Sequence, residues 1–161
     1  MKNYVVAAAL AVLLCGAICR AATFDVTVDT TPISGQPGFV VFDLVGGSSV
    51  QGNTATIQSF ATNSTLGTAT TSGSVLGKLV PGPLSLSDAQ FLSEWNQALT
   101  FGTHMSFKLS VTTNNTPGEI PDAFSFYLLD NNKVPFATTD PTGADPFRPG
   151  HKQQQSSNPD L

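Results

Sequence analysis

Polar and apolar residues alternate along most of this chain with a period of two, the spacing that puts successive side chains on opposite faces of a β-strand. Residues 23–29 read T-F-D-V-T-V-D, with Phe24, Val26 and Val28 on one face and Asp25, Thr27 and Asp29 on the other. The pattern is cleanest over 104–112, where Met105, Phe107, Leu109 and Val111 are expected to face inward and Ser106, Lys108 and Ser110 outward. Residues 39–45 are nearly all apolar, as expected of a strand covered on both faces or lying at the centre of a sandwich. Weaker alternation predicts strands over 54–61 and 123–129, an edge-type strand over 74–80, and a short one through Leu84 and Leu86. Asp130-Asn131-Asn132-Lys133 reads as a turn that sends residues 134–139 back as the second arm of a hairpin. Pro32, Gly35, Pro37 and Gly38 break the chain after the first strand, and Gly46-Gly47 ends the second. The stretch 63–77 is rich in Thr, Ser and Gly.

One segment departs from the alternation. Ser87-Asp88-Ala89-Gln90 matches a capping box, with a hydroxyl at the N-cap and an amide side chain three residues on. Phe91, Leu92, Trp95 and Leu99 then recur at helical spacing, which predicts a short helix over 88–97 lying across one mouth of the sheets. The fold expected is therefore all-β: a small antiparallel β-sandwich, jelly-roll-like, with one short helix. A β-barrel is the alternative.

The first residues do not belong to that pattern. Met1-Lys2-Asn3 is a short basic start, residues 4–18 are almost unbrokenly apolar, and Cys19-Arg20-Ala21-Ala22 brings small residues. This is the order of a secretory signal peptide, with cleavage expected after Ala21. The apolar run is shorter than the roughly 20 residues a bilayer-spanning helix wants, so no stable membrane span is expected once it is removed. A lipoprotein reading fails on the residues before each cysteine: Ile18 precedes Cys19 and Leu14 precedes Cys15, where a small residue is needed. The expected organisation is a signal peptide over 1–21, a β-sandwich domain over 22–144 and a polar tail over 145–161 that is disordered by composition. Both cysteines lie in the leader, so the mature domain would have neither thiol nor disulfide. A domain of that size can bury about two thirds of its unfolded surface without such a staple.

Charge narrows the partners. Removing Lys2 and Arg20 with the leader leaves five basic residues against eleven acidic ones, a net charge of −6. Nucleic acid and anionic lipid both require a basic footprint and are excluded as expected partners. The rest of the surface is hydroxyl-rich and sparsely charged, which is extracellular in character.

No pattern supplies a catalytic, cofactor or metal site. His104 and His151 lack the partners or spacing of a zinc site, and no Gly-x-Ser-x-Gly elbow occurs. Glu94, on the expected helix, and Glu119 and Asp122, in one loop, could serve glycoside cleavage only if the fold gathers them. Asp130-Asn131-Asn132 reads as an Asx-rich turn, since three adjacent residues do not make a spaced calcium loop. Phe91, Trp95 and Tyr127 could form a sugar-stacking platform, but the shared helical register of Phe91 and Trp95 assigns those two to the core. Asn63-Ser64-Thr65 and Asn114-Asn115-Thr116 match a eukaryotic glycosylation sequon, which carries little weight behind a bacterial-type leader.

Several stretches taken in order resemble a family of exported bacterial proteins of unknown function that usually carry a PEP-CTERM sorting tail. They are F-D-V-T-V-D-T-T from Phe24, G-F-V-V-F-D-L from Gly38 and G-P-L-S-L-S-D-A-Q-F from Gly82. L-T-F-G-T-H-M-S-F-K-L-S from Leu99, F-S-F-Y-L-L-D from Phe124 and T-T-D-P-T-G-A from Thr138 continue the series. The resemblance implies a surface or matrix protein of an exopolysaccharide-producing bacterium and supplies no enzymatic residues. The chain departs from the pattern after Ala144, where Asp145-Pro146-Phe147 stands in place of a further apolar strand, a Pro-Glu-Pro motif and a membrane-spanning segment. Sorting by an exosortase is therefore not carried over.

The function expected is that of a non-enzymatic exported cell-surface or extracellular-matrix protein, linked to exopolysaccharide and meeting extracellular polysaccharide or surface proteins. A carbohydrate-binding module is one alternative, which a row of exposed coplanar aromatics would favour. A small secreted hydrolase is the other, which a cleft gathering Glu94, Glu119 or Asp122 would favour.

Overall fold

The computed structural model describes residues 20–114 and 116–136, with only the backbone of Arg20. Among these residues there are nine strands: β1 (Arg20–Asp29), β2 (Pro37–Val45), β3 (Thr54–Thr62), β4 (Thr65–Ser72), β5 (Val75–Gly77), β6 (Leu84–Ser87), β7 (Leu92–Thr100), β8 (His104–Thr113) and β9 (Ala123–Asp130). They form two antiparallel sheets, A in the order β1-β8-β3-β6-β5 and B in the order β4-β7-β2-β9. The sheets pack face to face with separate edges, so the fold is a small β-sandwich and not a closed barrel.

The alternation read from the sequence maps onto the core. From β8, Met105, Phe107 and Leu109 are buried, and β1 brings Val26 beside them in the register Val26↔Phe107. Facing them, β2 contributes Val40, Phe42 and Leu44, and β9 contributes Phe124 and Phe126. Phe42 meets Phe107 edge to face at 5.3 Å between ring centroids, and Phe107 meets Phe126 at 5.2 Å, tying the sheets through aromatic contacts. The apolar run of β2 follows from its place between β7 and β9: Val41, on its outer face, is still only 3% exposed.

Two expectations need correction, and one strand had no expectation attached to it. The helix over 88–97 does not form: the capping-box residues make a turn, and β7 runs on as a strand from Leu92, paired with β2 and β4. The hydrogen bonds and burial that β7 gains between two neighbours outweigh the weak helical preference of a single short segment. The Thr/Ser/Gly-rich stretch contains a whole strand, β4, whose only slightly buried positions left no apolar alternation to read. The edge strand expected over 74–80 is shorter, ending at Gly77, although Leu79 beyond it is buried in the core. After β9 the turn closes as expected, with Asp130 N donating to Val134 O (2.8 Å) and Phe136 N to Leu128 O (2.9 Å). The remainder of the expected hairpin arm, 137–139, lies outside the described residues, as do residues 1–19 of the expected leader over 1–21 and the tail over 145–161.

Candidate functional site

Three connections meet at one end of the sandwich: 46–53 between β2 and β3, 88–91 between β6 and β7, and 114–122 between β8 and β9. Their backbone polar groups leave the ladders there and must find other partners. Acidic and amide side chains supply them. Asn53, buried, donates from Nδ2 to Asn114 O (2.9 Å) and to Asp122 Oδ2 (2.8 Å), while its Oδ1 accepts from Asn114 N (2.5 Å). Asp122 Oδ1 accepts from Gly47 N (2.6 Å), and Asp88 Oδ2 from Gln51 N (2.7 Å). Glu119 Oε2 accepts from the Ser49 hydroxyl and from Gln51 Nε2 (2.5 Å). Bonds to ionised acceptors are the stronger kind, so the three carboxylates fasten the three loops into one end.

Gly47 shows how closely these loops pack. A Cβ at that position would overlap the carbonyl oxygen of Ile120, so only glycine lets the two segments approach. Ser48 then fixes the register, its N–H donating to Ile120 O (3.2 Å) and its Oγ accepting from Ile120 N (2.8 Å). Between the two segments lies a groove of about 440 Å³, lined by Gly46, Gly47 and Ser48 on one side and Ile120, Pro121 and Asp122 on the other. Phe91 also lines it. Phe91 is 77% exposed and Ile120 is 72% exposed, so this end presents apolar surface on a polar frame.

The sequence candidates separate on this geometry. Glu119 and Asp122 do come together, as acceptors within the loop frame. Glu94 takes no part in the described network; it lies on the outer face of sheet B, in register with Asp43 of β2 and Ser72 of β4. Asp43 was missed as a candidate, and the signal was present in G-F-V-V-F-D-L, an acid inside an otherwise apolar strand. Neither Asp43 nor Glu94 lines the groove. The three aromatics do not form a platform. Trp95 is buried in the core as expected, Tyr127 is half-buried on the outer face of sheet B, and Phe91 is at the loop end, contrary to its assignment to the core. Phe91 left the core because the chain there is turn and strand, not helix, and its carbonyl instead accepts from Gly46 N (2.8 Å).

His104 opens β8 at an exposed position, and His151 lies outside the described residues. Among the described residues, no three His, Cys, Asp or Glu side chains are placed to hold a metal ion. Asp130 makes the Asx-type turn expected, its Oδ1 accepting from Asn132 N and Val134 N, both at 2.8 Å. The Asn63 amide is engaged on both atoms, Nδ2 donating to Thr103 Oγ1 (2.9 Å) and Oδ1 accepting from Thr103 N (2.9 Å). No helix among the described residues is long and apolar enough to cross a membrane. No family model, curated protein or solved structure matches this chain.

Proposed function

We propose that this chain is a non-enzymatic exported protein of the cell surface or extracellular matrix, and that it meets extracellular polysaccharide or surface proteins with its loop end. The observation that carries the reading is the division of labour there. Asp88, Glu119 and Asp122 are engaged as acceptors that fasten loops, while Phe91 and Ile120 stand exposed beside the groove. Carboxylates held in this way stiffen a contact surface, and apolar side chains displayed on a stiff frame bind with little ordering cost. The leader, the low charge and the resemblance to exported PEP-CTERM-type proteins support the location. The second reading, a carbohydrate-binding module, draws on Phe91 alone, whose exposed ring could stack on a sugar.

Two measurements test the proposal. Fractionation and intact-mass analysis of producing cells should find the protein outside the cytoplasm with Ala22 at its start. Co-sedimentation with extracellular matrix from those cells should fall at least fivefold for Phe91→Ala combined with Ile120→Ser, with Tm unchanged. Cytoplasmic protein that retains Met1 would overturn the location. Turnover of glycoside or ester substrates, lost on Glu94→Gln or Asp43→Asn, would overturn the non-enzymatic reading.

A further inference from the structure

The groove at the loop end joins an apolar lining to a rim of one charge sign. Most of the hydrogen-bonding groups along it are already committed. Gly46 N donates to Phe91 O, Gly47 N to Asp122 Oδ1, Ser48 N to Ile120 O and Ile120 N to Ser48 Oγ. Pro121 has no N–H to give, and the second Asp122 oxygen accepts from Asn53. A sugar ring brings several hydroxyls, each of which needs a partner once water is displaced. The groove keeps few groups to serve them. What it offers instead is apolar contact from Phe91 and Ile120, both largely exposed, beside a volume of about 440 Å³. That is room for one large apolar side chain.

The rim is acidic. The connections 46–53, 88–91 and 114–122 carry Asp88, Glu119 and Asp122 and contain neither Lys nor Arg. The groups that donate to these carboxylates are amides and one hydroxyl, all neutral, so their negative charge stays on the frame. The lysines among the described residues stand elsewhere. Lys108 pairs with Asp25 in mid-strand, and Lys78 and Lys133 lie in connections at the opposite end of the sandwich. Arg20, opposite Thr113, would leave with the leader.

We propose that this groove binds a basic polypeptide segment, with one large apolar side chain entering between Phe91 and Ile120 and flanking Lys or Arg residues answering the carboxylates. Glu119 and Asp122 are half-buried at the rim, and buried Asp88 adds to their field. The partner so assigned rests on the reading of the loop end as the contact surface, and it narrows that reading to a cationic protein segment. An apolar anchor supplies the affinity in such an arrangement, while the complementary charges supply encounter rate and choice of partner. The same field turns away anionic polysaccharide and a second copy of this acidic chain.

Fluorescence anisotropy of the exported protein with a labelled peptide, Lys-Gly-Lys-Phe-Lys-Gly-Lys, tests the assignment. Saturable binding is expected, weakened at least tenfold by Phe91→Ala and at least threefold by Glu119→Gln, each with Tm unchanged. It should also weaken at least fivefold on raising the salt to about 0.5 M, where surface charges are screened. Peptides with Ser in place of Phe, or Glu in place of Lys, should bind at least tenfold more weakly. Glu94→Gln, which removes a carboxylate from the outer face of sheet B, should leave the affinity within twofold. Absence of binding overturns the proposal, as does binding that neither salt nor Glu119→Gln alters. Tighter, Phe91-dependent binding of a glucosamine oligosaccharide overturns it as well. Phe91-dependent co-sedimentation with protein-free matrix polysaccharide, without peptide binding, overturns this assignment and leaves the loop end as the contact surface. Loss of neither interaction on Phe91→Ala overturns that reading too.

Discussion

β8 and β7 are interior strands of nearly equal length, one in each sheet, yet their inward faces are built from different chemistry. β8 turns Met105, Phe107 and Leu109 into the core, an unmixed apolar face. β7 turns in Ser93, Trp95, Gln97 and Leu99, all buried, so half of its inward face is polar. The polar members are paired. Ser93 Oγ donates to Ser87 O (2.7 Å) and accepts from Ser74 N (2.9 Å), and Gln97 Nε2 donates to Gly67 O (2.8 Å). The indole N–H of Trp95 has no partner among the described residues. A strand that packs only by apolar burial announces itself in its own sequence. One whose inward hydroxyl and amide serve neighbouring strands does not, because the groups that satisfy them lie on other elements.

Substitutions can sharpen this contrast. The largest effect is expected on β8: Phe107→Ala removes a ring wedged between Phe42 and Phe126 and should cost about 3–5 kcal/mol in chemical denaturation. On β7, Ser93→Ala strips the acceptor from Ser74 N–H and the donor from Ser87 C=O inside the sandwich, with an expected loss of about 1–3 kcal/mol. A cost near zero would show that Ser93 is not buried as a strand residue. Lys108→Ala, which breaks a solvent-exposed ion pair with Asp25, should change stability by less than about 1 kcal/mol. Phe91→Ala should change stability by no more than about 0.5 kcal/mol, as for other surface sites. A core-sized loss there would restore the helix that the spacing of Phe91 and Trp95 suggests.

The smallest effect is expected at Asp29, at the far end of β1. Hydrogen bonds from the Thr31 side chain, and then from its backbone N–H (2.9 Å to Oδ1), hold its carboxyl below the ordinary value of 3.8. A lowered folded pKa means that the contribution is present above the unfolded value and is lost as the pH falls through the folded one. Titration followed by carboxyl NMR should place Asp29 below its ordinary value in the native protein, and Thr31→Val should move it back up.

Legibility at the loop end follows the same division. That Glu119 and Asp122 share a loop was plain in the sequence, but their engagement by Gly47, Ser49, Gln51 and Asn53 depends on bringing together segments about seventy residues apart. Nothing local marks Gly47 as the point where Ile120 passes too closely for a Cβ. Asp43 could have been singled out as an acid in an apolar run, whereas its position opposite Glu94 is a matter of strand register.

By itself the sequence determined the all-β class, the strands whose apolar residues alternate and the turn at Asp130, because a period of two and turn chemistry are local properties of the chain. The tertiary structure decided the rest. It made β7 a strand against its helical spacing and drew β4 out of a Thr-rich stretch by pairing it with β7. It carried Trp95 into the core and left Phe91 outside, and it turned three carboxylates into loop fasteners. Each of these outcomes depends on hydrogen bonds and burial supplied by residues distant in the chain, and a short segment cannot encode the partner it will meet.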